Sequence, residues 1–206
     1  GLGLKGEFGA TAVGATVSGG LGSFDQERWV FTPEGLNMHT ADPDLRWISA
    51  QAHLSHKFAL GETAWLRPQV DAGVLHLRQD AYGERGSDHY GLNVGAIDYT
   101  VGTIRPSVEL GGSFELGGKP VTGAVRAGVL ALVGDTDWST RLGLNGMSGD
   151  GWTYPLEAKG QNLFGTLDAS LKFGLSEKAS LELGASTLFN GEQQQVIGRA
   201  TLAVRF

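Results

Sequence analysis

The chain has 206 residues, 16 Lys plus Arg against 22 Asp plus Glu for a net charge of −6, no cysteine and 33 glycines. Zero cysteine excludes a disulfide scaffold, a zinc-thiolate centre and a thiol nucleophile, and six prolines without a G-X-Y period exclude collagen. The acidic balance, with no Lys/Arg cluster, argues against a nucleic-acid partner, while a mean hydropathy of −0.09 resembles that of an ordinary soluble protein.

In chain order, a short alternating stretch from Gly1 to Glu7 is followed by a candidate strand from Ala12 to Ser23, whose glycines (VGATVSGGLG) let a tilted strand bend or leave space beside it. A connection from Phe24 to Asp44 leads into Leu45 to Leu60. There Ile48, Ala50, Ala52, Leu54, Phe58 and Leu60 share one parity, and Ser49, Gln51, His53, Ser55 and Lys57 fill the other. That is the period-2 pattern of a strand, sustained beyond the five or six residues usual in soluble proteins. After Gly61 to Thr63 comes Ala64 to Arg78, then a long connection from Gln79 to Tyr99. Ile104 to Leu116 sets Ile104, Pro106, Val108, Leu110 and Phe114 against Arg105, Ser107, Glu109 and Ser113. Gly117 to Pro120 joins it to Val121 to Val133, and Asp135 to Asn162 forms the third long connection. Leu163 to Leu175, the tight turn Ser176 to Lys178, Ala179 to Phe189 and a final strand ending in Ala200, Leu202, Val204 and Phe206 complete about nine strands. No segment reads as a helix, and no apolar run approaches the ~18 residues of a spanning one.

Short turns therefore alternate with connections of about twenty residues or more, the asymmetry of outer-membrane barrels. The polar parity mixes both signs, in Lys57, Arg67, Asp71, Arg105, Glu109, Glu115, Arg126, Asp168, Lys172, Glu182, Arg199 and Arg205. A barrel interior needs both, because enclosed charges must pair. The expected fold is all-β: an antiparallel up-and-down transmembrane β-barrel with its apolar parity against lipid. Trp47, Trp65, Tyr99 and Phe189, near strand ends, are placed in an aromatic girdle. Arg105, Glu109, Arg126, Asp168, Lys172, Glu182 and Arg199 form the expected lumen network, paired among themselves or touching a translocating chain. An antiparallel barrel closes with an even strand number. Either Gly1 to Glu7 is the stump of a chain shortened at its N-terminus, which the absence of a signal peptide also suggests, or eight strands close without it.

Four stretches carry a family resemblance: Ala64 to Val74 (AWLRPQVDAGV), Tyr90 to Gly112, Val125 to Trp138 (VRAGVLALVGDTDW) and Leu181 to Phe206 (LELGASTLFNGEQQQVIGRATLAVRF). The sequence resembles the translocator β-domain of autotransporters, the type V secretion proteins of Gram-negative bacteria. The resemblance implies a twelve-stranded barrel of roughly 250 to 300 residues, of which residues 1–206 would be one domain holding the C-terminal eight to nine strands. It further implies an outer-membrane anchor and translocator, with outer-membrane lipid, the barrel-assembly machinery and an N-terminal passenger domain as partners. The ending Leu202, Val204 and Phe206 resembles the signal by which that machinery recognises a barrel, a strand-addition mode of recognition. The same residues are equally the lipid-facing positions of a final strand.

Other motifs carry less. GLGLKG at Gly1 to Gly6 matches G-x-G-x-x-G but lacks the preceding strand and following helix of a dinucleotide site. Asp135 and Asp137 open a calcium-loop-like run, yet Thr140 stands where the sharp turn needs Gly. His53 and His56 have opposite parity, so the two cannot share a metal. Asp88 and His89 suggest a barrel-rim hydrolase, and no G-x-S-x-G elbow is present. No catalytic, cofactor-binding or metal-binding residue is expected. The rival readings are a small complete barrel acting as adhesin or structural anchor, and the rim hydrolase.

Overall fold

A computed structural model describes residues 1–33, 35–86, 90–145 and 153–204. Nine long strands run as one antiparallel meander, each hydrogen-bonded to the next in chain order. They are β1 Leu2–Phe8, β2 Thr11–Ser23, β5 Asp44–His56 with its continuation β6 Phe58–Leu60, β7 Ala64–Gln79, β10 Ile97–Leu116, β11 Lys119–Gly134, β14 Leu163–Ser176, β15 Ala179–Phe189 and β16 Gln194–Val204. Shorter strands occupy the three long connections: β3 Gln26–Thr32 and β4 Gly35–Ala41, β8 Tyr82–Gly83 and β9 Leu92–Val94, and β12 Trp138–Leu144 with β13 Thr153–Ala158. β5 and β6 keep one register against β7, from Ser55 opposite Gln69 to Phe58 opposite Leu66. Among the described residues, β1 pairs only with β2 and β16 only with β15. The Gly1 to Glu7 stretch therefore does contribute a strand, and the described residues hold nine long ones.

The turns at one end are tight. Gly117 and Gly118, with φ of 59° and 73°, join Leu116 to its ladder partner Lys119, the two-residue turn with both central residues left-handed that matches strand twist. Every neighbouring pair of strands is locked in register over most of its length, so parity decides face for the whole sheet.

Burial runs opposite to that of a water-soluble core. Ile104 and Val108 are each 47% exposed, whereas Ser107 between them is 6% exposed. Val70, Val74, Val125, Val129, Leu167 and Leu171 follow the exposed pattern, while Ser55, Gln69 and Thr166 are buried on the polar face. At about 25 cal/mol per Å² of apolar surface, leaving such a face in water would forfeit the main stabilising term of folding, so this face requires an apolar medium.

Two expectations are corrected. Of the four girdle aromatics, only Phe189 lies on the apolar face, beside Thr187 and the outward parity of β14. Trp47, Trp65 and Tyr99 share the polar face with Ser49, Arg67 and Val101, because parity along the strand, not nearness to its end, sets direction. The long connections, read as plain loops, also hold strands. β3 and β4 pair as a hairpin, and β13, β12, β9 and β8 form a four-stranded sheet. An isolated β-bridge, Thr40 to Arg85, joins the backbone of the hairpin to that of the second connection.

Candidate functional site

The polar face is built by register. Across β5, β7 and β10 one row reads His53, Asp71, Arg105. The next reads Ser55, Gln69, Ser107, and continues through Gly128 on β11 to Thr166 on β14. A third runs Arg67, Glu109, Arg126, Asp168, Ser186 across β7, β10, β11, β14 and β15. Rows of opposite charge side by side are the sheet's analogue of a helical ion-pair ladder.

The expected lumen residues all fall on this face. Arg105 holds Asp71 with Nη2 to Oδ2 at 3.2 Å. Glu109 accepts from Trp65 Nε1 at 3.0 Å and lies 3.4 Å from Arg67 Nη1. Arg126 Nε donates to Asp168 Oδ2 at 2.9 Å. Arg199 stands 3.5 Å from Glu182, and Lys172 is directly opposite Glu182 across β14 and β15. Leu202 and Val204 lie on the apolar parity of β16, opposite Leu181 and Ala179. Phe206 and Arg205 lie outside the described residues.

Sequence reasoning missed one constellation on this face. His53 Nδ1 is 2.7 Å from Asp71 Oδ1, and His53 Nε2 is 3.1 Å from Ser55 Oγ. His53 and Ser55 are two apart on one strand, a spacing visible in the sequence, but Asp71 joins them only once the β5 to β7 register is known. These residues, with Lys57, Arg67 and Arg105, line a cavity of about 820 Å³.

The other candidates resolve into simpler roles. GLGLKG is the extended β1 edge, paired to β2 over its length, with no phosphate-cradling turn. Asp135 accepts from the Thr100 N–H at 2.7 Å, and Asp137 from the Gly160 N–H at 3.0 Å, so both cap backbone donors. His56 bonds Thr11 Oγ1 at 2.7 Å and His76 bonds Thr100 Oγ1 at 2.9 Å, each satisfying an imidazole on the apolar face. Asp88 and His89 lie outside the described residues. No group of three or more potential metal ligands occurs among the described residues.

Beyond the strands, Glu84 knits the connections together. Its side chain is 2% exposed and takes a bidentate contact from Arg28 of β3, with Nε to Oε1 at 2.8 Å, while Oε2 accepts from the Leu92 N–H at 2.8 Å. Arg28 chiefly holds the Glu84 carboxyl below its usual range; burial opposes this, and the Leu92 N–H assists. The Glu84 carbonyl accepts from Asn145, and Arg28 also reaches the Tyr90 carbonyl at 2.8 Å. At the sheet's end, Arg46 and Arg78 both bond Asp80, whose carboxyl Arg46 in particular holds low.

Among known protein families, a model described as Autotransporter beta-domain matches residues 1–186. No curated protein matches the chain.

Proposed function

The chain belongs to the autotransporter β-domain family, and from that premise we propose that its barrel supports export of an N-terminal passenger domain to the cell surface. The family is one of transmembrane β-barrels of the Gram-negative outer membrane that serve as translocator and anchor in type V secretion. The observation that carries the finer reading is the inverted burial: valines and leucines face outward into lipid, and charged, hydrogen-bonding rows face inward. The paired charges and small polar residues of the inner wall keep it hydrated along the path of a passing chain. Arg105, Glu109, Arg126, Asp168, Lys172, Glu182 and Arg199 are assigned to that wall, with mutual pairing their first role and contact with the exported chain their second.

Nine strands, the number of long ones among the described residues, do not pair into an all-antiparallel closed barrel, which supports reading residues 1–206 as the C-terminal part of one domain in a twelve-stranded barrel. Leu202, Val204 and Phe206 are assigned to recognition by the barrel-assembly machinery, through main-chain pairing of β16 with alternate side chains setting specificity.

The decisive experiment places an epitope-tagged passenger ahead of the barrel and adds protease to intact cells. Cleavage of the tag from outside, with a heat-modifiable barrel in the outer membrane, is the expected result. A correctly inserted barrel with the tag retained in the periplasm would overturn the export reading. Removal of Phe206 should lower the inserted fraction, and undiminished insertion would remove the terminal strand from the recognition step.

A further inference from the structure

We propose that Ser55, His53 and Asp71 form a Ser-His-Asp acyl-transfer site on the inner wall of the barrel, hydrolysing small carboxylic esters. The geometry supplies the three relations such a site needs: a nucleophile within reach of a base, a base oriented by a carboxylate, and room for a substrate. Ser55 Oγ is 3.1 Å from His53 Nε2, and His53 Nδ1 is 2.7 Å from Asp71 Oδ1. A carboxylate only accepts, so Nδ1 carries the hydrogen and Nε2 is left as the base facing Ser55. Arg105, bonded to the other Asp71 oxygen at 3.2 Å, fixes the carboxylate in that orientation.

An independent observation lies directly across the ladder. Gln69 is the register partner of Ser55, is 6% exposed, and has an amide Nε2 with no hydrogen-bond partner among the described residues. An unpaired buried donor costs about 1–3 kcal/mol. Gln69 does not itself line the cavity, so its amide serves a developing oxyanion at Ser55 only by turning toward it. The adjoining cavity of about 820 Å³ is of the size that holds a small molecule.

The reaction balances with water as the only co-reactant. Ser55 Oγ bonds to the ester carbonyl carbon while its proton passes to His53 Nε2, and collapse of the tetrahedral species breaks the C–O bond. The departing alkoxide takes that proton and leaves as alcohol. Water then attacks the acyl-serine with His53 again as base, releasing the carboxylic acid and returning the proton to Ser55. Arg67 and Lys57 line the same cavity and favour an ester whose acyl or alcohol part bears negative charge.

The test is labelling of the protein in outer membranes with a short-chain biotinylated fluorophosphonate, followed by peptide mapping. It needs no passenger, so its outcome is separate from that of the export experiment. The folded, heat-modifiable barrel is expected to be labelled on Ser55, and Ser55→Ala to abolish labelling. His53→Gln and Asp71→Asn should slow it by on the order of 10²-fold or more. Absence of label from the folded wild-type barrel, label mapping to another residue, or equal rates in folded His53→Gln would overturn the proposal. Mapping on the wild-type chain decides the matter even where a variant fails to insert.

Discussion

Trp65 lies flat over Gly111, its direct partner across β7 and β10. A Cβ added at Gly111 would sit 2.2 Å from the indole Cζ2, far inside van der Waals contact. The glycine thus makes the bed in which the indole reaches Glu109, and Lys57 Nζ rests 4.5 Å above the ring centroid. Gly111→Ala is expected to swing Trp65 out of this position, breaking the bond to Glu109 and costing about 1–3 kcal/mol. Urea titration followed by tryptophan emission checks it: the midpoint should fall and the emission shift, whereas a native midpoint and spectrum would show that the indole does not depend on the glycine.

Arg126 and Asp168 make the shortest ion pair on the inner wall after His53 and Asp71, and both are half-buried. Their removal should be unequal. Asp168→Asn leaves Arg126 facing Glu109, its register partner on β10, and should cost about 1 kcal/mol. Arg126→Met leaves the Asp168 carboxylate without its guanidinium and should cost about 2–3 kcal/mol. The double variant should recover part of the sum, a coupling of about 0.5–3 kcal/mol read from a double-mutant cycle in urea. Strict additivity would place the two side chains apart.

The strands and their faces were legible because a wall between lipid and water imposes period 2 over long runs, and Leu45 to Leu60 or Ile104 to Leu116 could hardly be read otherwise. Position along a strand is no substitute for parity. Trp47 shares parity with Ser49 and Gln51, which already fixed it on the inner face; its place near a strand end was the wrong guide. β3 and β4 escape a reading by alternation because seven residues are too short a run to stand out from a connection, and because Arg28 of β3 is held by Glu84, 56 residues away in sequence. His53 with Asp71 required knowledge of strand register, which alternation alone does not supply.

Val125 stands mid-strand on β11 with its side chain on the apolar face, 51% exposed. Were water its neighbour, Val125→Arg would change stability by less than about 0.5 kcal/mol. Near the bilayer midplane the same substitution should cost about 2–4 kcal/mol. Phe31 on the β3–β4 hairpin, exposed but outside the nine-strand sheet, supplies the contrast, and Phe31→Arg should leave folding into lipid vesicles nearly unchanged. Equal effects at the two positions would remove the membrane assignment from the β11 face.

The folded connections should open in acid, and the sign follows from Glu84. Arg28 depresses its carboxyl in the folded state, so the native form binds fewer protons than the unfolded one in the window between the two pKa values. The contribution is full above the ordinary Glu value of about 4.3 and is lost as pH falls through the depressed folded value. Protonation takes the charge from the Arg28 contact and weakens the Leu92 N–H bond that closes β8 onto β9. Hydrogen exchange at the Leu92 and Arg85 amides should therefore accelerate below about pH 4 while amides of β10 and β11 stay protected. Glu84→Gln should show the faster exchange already at neutral pH and a shallower acid response. Some slope should remain, because Arg85 holds the Asp42 carboxyl low and Arg46 does the same to Asp80. An acid response as steep in Glu84→Gln as in the unaltered chain would transfer the effect from Glu84 to those two aspartates.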